Sequence, residues 1–106
     1  MTTTAVQPVT PHVGDGATIT MWGERTPATV VAVQSADRVV VREDEARWAP
    51  DGRLVSSKPS RTNLQHVVTR RRDGRWLEQG DTYENDKDAT TITFGSRDGY
   101  RDPKWS

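Results

Sequence analysis

The chain has no cysteine. Disulfides, thiolate nucleophiles and cysteine-based zinc sites are excluded together. Histidine stands only at positions 12 and 66, and two scattered imidazoles without thiols make a poor transition-metal site. Leucine is scarce as well, at 54, 64 and 77 only. No excess of either charge exists: fifteen basic residues meet fifteen acidic ones. That balance argues against a general polyanion binder, which usually carries a strongly basic domain. No stretch approaches the roughly 20 apolar residues of a membrane helix. The opening "MTTTAVQPVTPH" lacks the basic start and apolar run of a signal peptide. A soluble, cytoplasmic protein without membrane contact is expected, and the missing cysteine fits a reducing compartment.

Catalytic signatures are also missing. No glycine-rich phosphate loop precedes a helix, and Ser56, Ser57 and Ser60 have no neighbouring base in sequence. Glu43 and Glu45 project to one side of a strand end, but nothing marks them above surface charge. The acidic run "GDTYENDKD", residues 80 to 88, lacks the spacing of a calcium loop and reads as a solvated connection. No enzyme activity, cofactor or metal is expected.

What is present is threonine and valine. At 106 residues, with 32% apolar and 28% charged residues, the chain is one domain with a thin core. β-Branched residues suit pleated sheets and lose rotamer freedom in helices. No segment sustains a 3.6-residue apolar period, so the chain reads as nearly all β. Residues 1 to 12 form a Thr/Pro-rich arm, expected to be disordered, ahead of a single domain over 13 to 106. "GATITMW" (16 to 22) alternates as a half-buried strand, "GERTP" reads as a loop, and "ATVVAVQ" (28 to 34) as a central strand. "SAD" turns the chain into "RVVVRED" (38 to 44). Residues 45 to 63 read as a long central loop, with room for a small hairpin at Asp51-Gly52. "LQHVVTRRR" and "RWLEQ" form a hairpin, "ATTITFG" (89 to 95) is the last strand, and a tail follows.

The stretch "RRRDGRW" is the most assertive chemistry in the chain. Asp-Gly between alternating residues signals a two-residue type I′ turn. With Asp73-Gly74 at its centre, Arg72 faces Arg75, Arg71 faces Trp76, and Arg70 faces Leu77. Leu64, His66, Val68 and Leu77 then look into the core. Arg70, Arg72 and Arg75 overhang its edge at the tip. Arg71 and Trp76 pair on the outer face as a cation–π contact. Two readings of the tip stay open: an anion site, or internal neutralisation by Glu78, Asp81, Glu84 or loop carboxylates. His66, mid-strand on the core side, reads as a hydrogen-bonded structural histidine. Phe94 is the expected core ring.

Two resemblances add to this. The run "VGDGATITMWGERTPATVVAVQSADRVVVRED" resembles the opening of small SH3-like barrels of the KOW and Tudor type. That likeness implies a small barrel, nucleic-acid binding, and a ligand groove lined by aromatics near the first loop: here Trp22 and Trp48. Both tryptophans also read as core rings capping the barrel ends. Further, "VGDGATI", "DGRW" and "FGSRDGYRDPKW" look like small orphan proteins of bacteriophages and prophages. That likeness implies a viral origin and an interaction inside the host cell.

The expectation is therefore an all-β, SH3-like barrel of five or six antiparallel strands. It would act as a non-enzymatic binding module for a host or phage protein, or alternatively for nucleic acid. The candidate binding residues are Arg70, Arg71, Arg72, Arg75, Trp76, Trp22 and Trp48. Nothing in the sequence sets the oligomeric state.

Overall fold

The computed structural model describes residues 10 to 21, 23 to 79 and 90 to 101. Among them there is no helix. Six strands close an antiparallel barrel: β1 (Gly16–Met21), β2 (Glu24–Ser35), β3 (Arg38–Glu43), β6 (Gln65–Arg70), β7 (Trp76–Glu78) and β8 (Thr91–Phe94), with β8 returning to β1. This is consistent with the small SH3-like barrel expected. Between β3 and β6, the strands β4 (Glu45–Trp48) and β5 (Leu54–Lys58) pair as a separate two-stranded sheet. The long central loop is thus largely this hairpin, turned at residues 50 to 52. No helix here is long and apolar enough to cross a membrane.

The alternation read in β1 is the one that folds. Ala17 and Ile19 point into a core completed by Ala28, Val30, Val39, Val41, Val68, Trp76 and Ile92. β2 begins earlier than proline suggested. Residues 24 to 27, read as part of a loop, pair with β1 through Thr18↔Pro27 and Met21↔Glu24. Pro27 lacks a donor, so it is tolerated only where no ladder bond is needed. Its carbonyl accepts from the Asp44 N–H, which places its missing donor on the side where β3 has ended. Register shifts near Val30/Ala32 and Val33/Ser35 let this long strand bend around the barrel.

The arginine hairpin is one residue out of the expected register. The pairs are Val68↔Glu78, Thr69↔Leu77 and Arg70↔Trp76. The Gly74 N–H donates to the Arg71 carbonyl (2.9 Å) and the Arg71 N–H to the Arg75 carbonyl (2.8 Å). These bonds make a three-residue connection over 72 to 74, with Gly74 at φ +88°. Such a loop needs its glycine at one position, whereas type I′ needs positive φ at two. A one-residue slip turns every side chain of a strand to its other face. Trp76 therefore enters the core, and Leu77, also fully buried, lies outside the core cluster. The faces of β6 are as expected, with His66 and Val68 inward, but Leu64 is 65% exposed. Phe94 is half-buried and meets Trp76 edge-on, ring centroids 5.2 Å apart.

Residues 96 to 101 run back over the outside of β1 and β2. Thr18 Oγ1 donates to the Ser96 carbonyl and accepts from the Asp98 N–H, both at 2.9 Å. Arg25 and Tyr100 exchange two backbone hydrogen bonds of 2.8 Å, and the Arg101 N–H donates to Gly52. The tail thereby ties the β4–β5 hairpin to β2. Arg97 crosses Gly16, where a Cβ would come within 3.0 Å of its Cγ. Its Nη2 donates to Thr29 Oγ1, and its Nε lies 3.1 Å from Oδ2 of the fully buried Asp44. That last contact is off hydrogen-bond alignment and is ionic in character.

At the other end of the chain, Thr10 Oγ1 donates to the Ala36 carbonyl, and Pro11 is buried. Residues 1 to 9 of the expected arm lie outside the described residues.

Candidate functional site

The three-residue turn decides which arginines find partners. Arg70 ends β6 and reaches the β2–β3 turn, where Nη2 lies 2.6 Å and Nε 2.8 Å from Asp37 Oδ1. Its guanidinium also stacks over Trp76, 5.6 Å from the ring centroid. The cation–π pair is therefore Arg70 with Trp76. Arg71, the partner expected from the two-residue turn, faces away because the register is shifted.

Asp73 closes the turn. Its carboxylate accepts the Arg75 N–H at 3.0 Å and holds Arg75 Nε at 2.7 Å. That backbone N–H, then the guanidinium, keep the exposed Asp73 carboxyl below its ordinary value. Two arginines of the run are thus neutralised within the hairpin and the neighbouring turn, by Asp37 and Asp73. Of the carboxylates proposed for this role, Glu78 instead meets His66, and Asp81 and Glu84 lie outside the described residues.

Among the described residues, neutralisation stops there. Arg71 spans the outer face with neutral partners: Nε to Thr69 Oγ1 (3.1 Å) and Nη2 to the Glu78 carbonyl (3.2 Å). Arg72 is exposed and has no carboxylate partner among the described residues. Arg38 was missed by the sequence reading. It starts β3 directly across from Thr69, so Arg38 and Arg71 flank one threonine on the outer face. It too is exposed and has no carboxylate partner among the described residues. No local pattern marks it: β3 pairs with β6 across the β4–β5 hairpin, and only that pairing sets position 38 beside the base of the arginine run. Among the described residues, five guanidiniums against two carboxylates give this end of the barrel a formal +3. A chain of zero net charge therefore carries a local positive surface.

The tryptophans divide. Trp76 is only 8% exposed, so its ring is core and offers no free face. Trp48 is half-buried beneath the tail, with Arg101 4.8 Å above its ring. Trp22 lies outside the described residues.

His66 is hydrogen-bonded within the structure as read. Nε2 stands 2.7 Å from Glu43 Oε2 and Nδ1 2.5 Å from Glu78 Oε1. A carboxylate only accepts, so filling both contacts requires the imidazolium. The bond to Glu43 raises the His66 pKa, burial opposes it, and Glu78 raises it further. Glu45 does not join Glu43. It pairs with Lys58 at 3.4 Å. Among the described residues, no group of three or more His, Asp or Glu side chains is arranged to hold a metal ion.

Compared with protein-family models, with curated proteins and with solved structures, the chain matches none.

Proposed function

We propose that this chain is a non-enzymatic binding module of bacteriophage or prophage origin, and that it binds an acidic surface of a host or viral protein inside the cell. The binding surface is the arginine end of the barrel, with Arg38, Arg71 and Arg72 as its charged contacts. One observation carries this reading: these three guanidiniums have no carboxylate partner among the described residues, while Arg70 and Arg75 beside them are ion-paired. Arginine is weakly hydrated and presents a planar fork that fits carboxylates two bonds at a time. The closed barrel and its tight turn fix the backbone at these three positions, so ordering at binding falls on the side chains alone.

Nucleic acid is the weaker reading. Aromatic stacking supplies about 1–3 kcal/mol per base in single-strand binders, and Trp76 is committed to the core. Three arginines alone give weak affinity for a polyanion at physiological salt.

The test is a fluorescence-anisotropy titration with labelled polyglutamate at low ionic strength. The wild type is expected to bind, and R38Q/R71Q/R72Q to lose binding with an unchanged far-ultraviolet spectrum. No binding by the wild type, or equal binding by the triple variant, removes the reading.

A further inference from the structure

Beside the arginine turn the barrel closes by its shortest seam. Among the described residues, β7 and β8 pair through Trp76↔Ile92 and Leu77↔Thr91, with one more bond from the Glu78 N–H to the Thr90 carbonyl. On its other edge β8 stays paired with β1 through Ala17↔Phe94. Backbone groups alternate between the two sides of a strand in an antiparallel ladder. The Gly95 N–H donates to Gly16 on the β1 side, whereas the Thr90 carbonyl accepts from Glu78 on the β7 side. Alternation from both directions sends the N–H and C=O of Phe94 toward β7. The residue that would stand opposite is Gly74. Its N–H is turned back to Arg71, and the Arg75 carbonyl is taken by the Arg71 N–H. Among the described residues, the seam is thus open at Phe94.

The opening is a cleft of about 530 Å³. Trp76, Ile92 and Phe94 form its apolar floor, and Gly74, Arg75 and Thr93 stand at its rim. Arg72 belongs to the same turn. Pockets of roughly 300–1,000 Å³ accept small ligands and anchoring side chains.

We infer that this cleft docks an extended acidic segment of the partner protein, pairing with the free edge of Phe94 and placing one large apolar side chain against Phe94 and the exposed margin of Trp76. The inference rests on the proposed acidic partner and names how that partner is gripped. Each part of the occupant answers a feature of the site. It is extended, because an open strand edge is completed by a strand. It carries an apolar residue, because the floor is aromatic and aliphatic. Its flanking residues are acidic, because the turn forming the rim belongs to the surface of net positive charge. Side chains of a strand alternate in direction, so one apolar anchor among carboxylates suits one pleat over the floor and its neighbours at the rim.

The experiment uses the full chain and three labelled probes: a heptaglutamate peptide, the same peptide with a central leucine, and a single-stranded oligothymidylate. Affinities are measured by anisotropy, and amide exchange and the Trp76 indole signal by NMR. In the free protein, the Phe94 amide is expected to exchange faster than that of Thr93, which faces β1. The leucine peptide is expected to bind about tenfold or more tightly than heptaglutamate, as burial of one such side chain allows. It should also slow Phe94 exchange at least about tenfold and shift the Trp76 indole. Equal affinity of the two peptides, with Phe94 exchange and the Trp76 indole unchanged, overturns the cleft and leaves the arginine surface standing. Failure of both peptides to bind removes the acidic-partner reading as well. Tighter binding of oligothymidylate than of the leucine peptide at physiological salt overturns the protein occupant.

Discussion

His66 Nε2 stands 2.7 Å from Glu43 Oε2, joining β6 to β3 inside one end of the barrel. With Glu78 on the other nitrogen, the imidazolium is the bonded form. Its folded pKa is raised above the unfolded value. A raised pKa contributes stability that is fully present below about pH 6.5, the unfolded value. That contribution is lost as pH rises through the folded pKa. The urea midpoint is therefore expected to fall between about pH 6.5 and the folded pKa of His66. His66→Gln should flatten that fall and, at pH 6, cost about 1–3 kcal/mol by leaving the carboxylates short of donors. A midpoint that rises over this range would contradict the arrangement.

The Gly74 turn makes a second prediction. A Cβ at Gly74 meets nothing within 4 Å, yet φ is +88°. The cost of substitution is thus one of backbone conformation alone. Gly74→Val should destabilise by about 1–3 kcal/mol, and Gly74→Asn by less, since Asn tolerates positive φ. Thermal melts of the two variants decide it. Equal, wild-type-like melts would mean that the turn has another conformation.

The buried Asp44 tests the tail. Its side chain is fully buried against Arg97, which is itself about one-third exposed. Removing one partner of a buried pair strands the other charge. Arg97→Ala should cost about 2–3 kcal/mol, somewhat below the range for a fully buried pair. In the Asp44→Asn background the same substitution should cost clearly less. A double-mutant cycle in denaturant measures this, and strictly additive effects would show that the two side chains do not interact.

Trp76 gives the register its own test. As a core ring its replacement by Ala should cost about 3–5 kcal/mol. As an outer-face ring it would cost far less. Chemical denaturation separates the two.

The strands were legible because β-branched residues concentrate in them, alternating in and out along β1 and running together as Val39, Val40 and Val41 in β3. Two features escaped for physical reasons. Pro27 and its neighbours looked like a loop because proline lacks a donor, and its toleration depends on where β3 stops, a non-local fact. Asp73-Gly74 fits both a two-residue and a three-residue connection, and the local pattern does not distinguish them. The choice follows from which of Trp76 and Leu77 completes the barrel core. That choice also reassigned the candidate site. Arg70, Arg71, Arg72 and Arg75 do gather at one end, but Trp76 turns inward and Arg38 joins them from a strand more than thirty positions away.

Among the described residues, three arginines at this end, not five, are left without a carboxylate. Single-stranded DNA serves as a polyanion of known counterion behaviour, releasing ions with a slope near −0.7 per neutralised phosphate. The decisive measurement is the slope of log affinity against log salt for an oligothymidylate. A slope of about −2 is expected for the wild type, from three contacts, and one close to zero for R38Q/R71Q/R72Q. A wild-type slope near −3.5, which is what five free arginines give at about −0.7 each, would contradict it. So would a slope that survives in the triple variant.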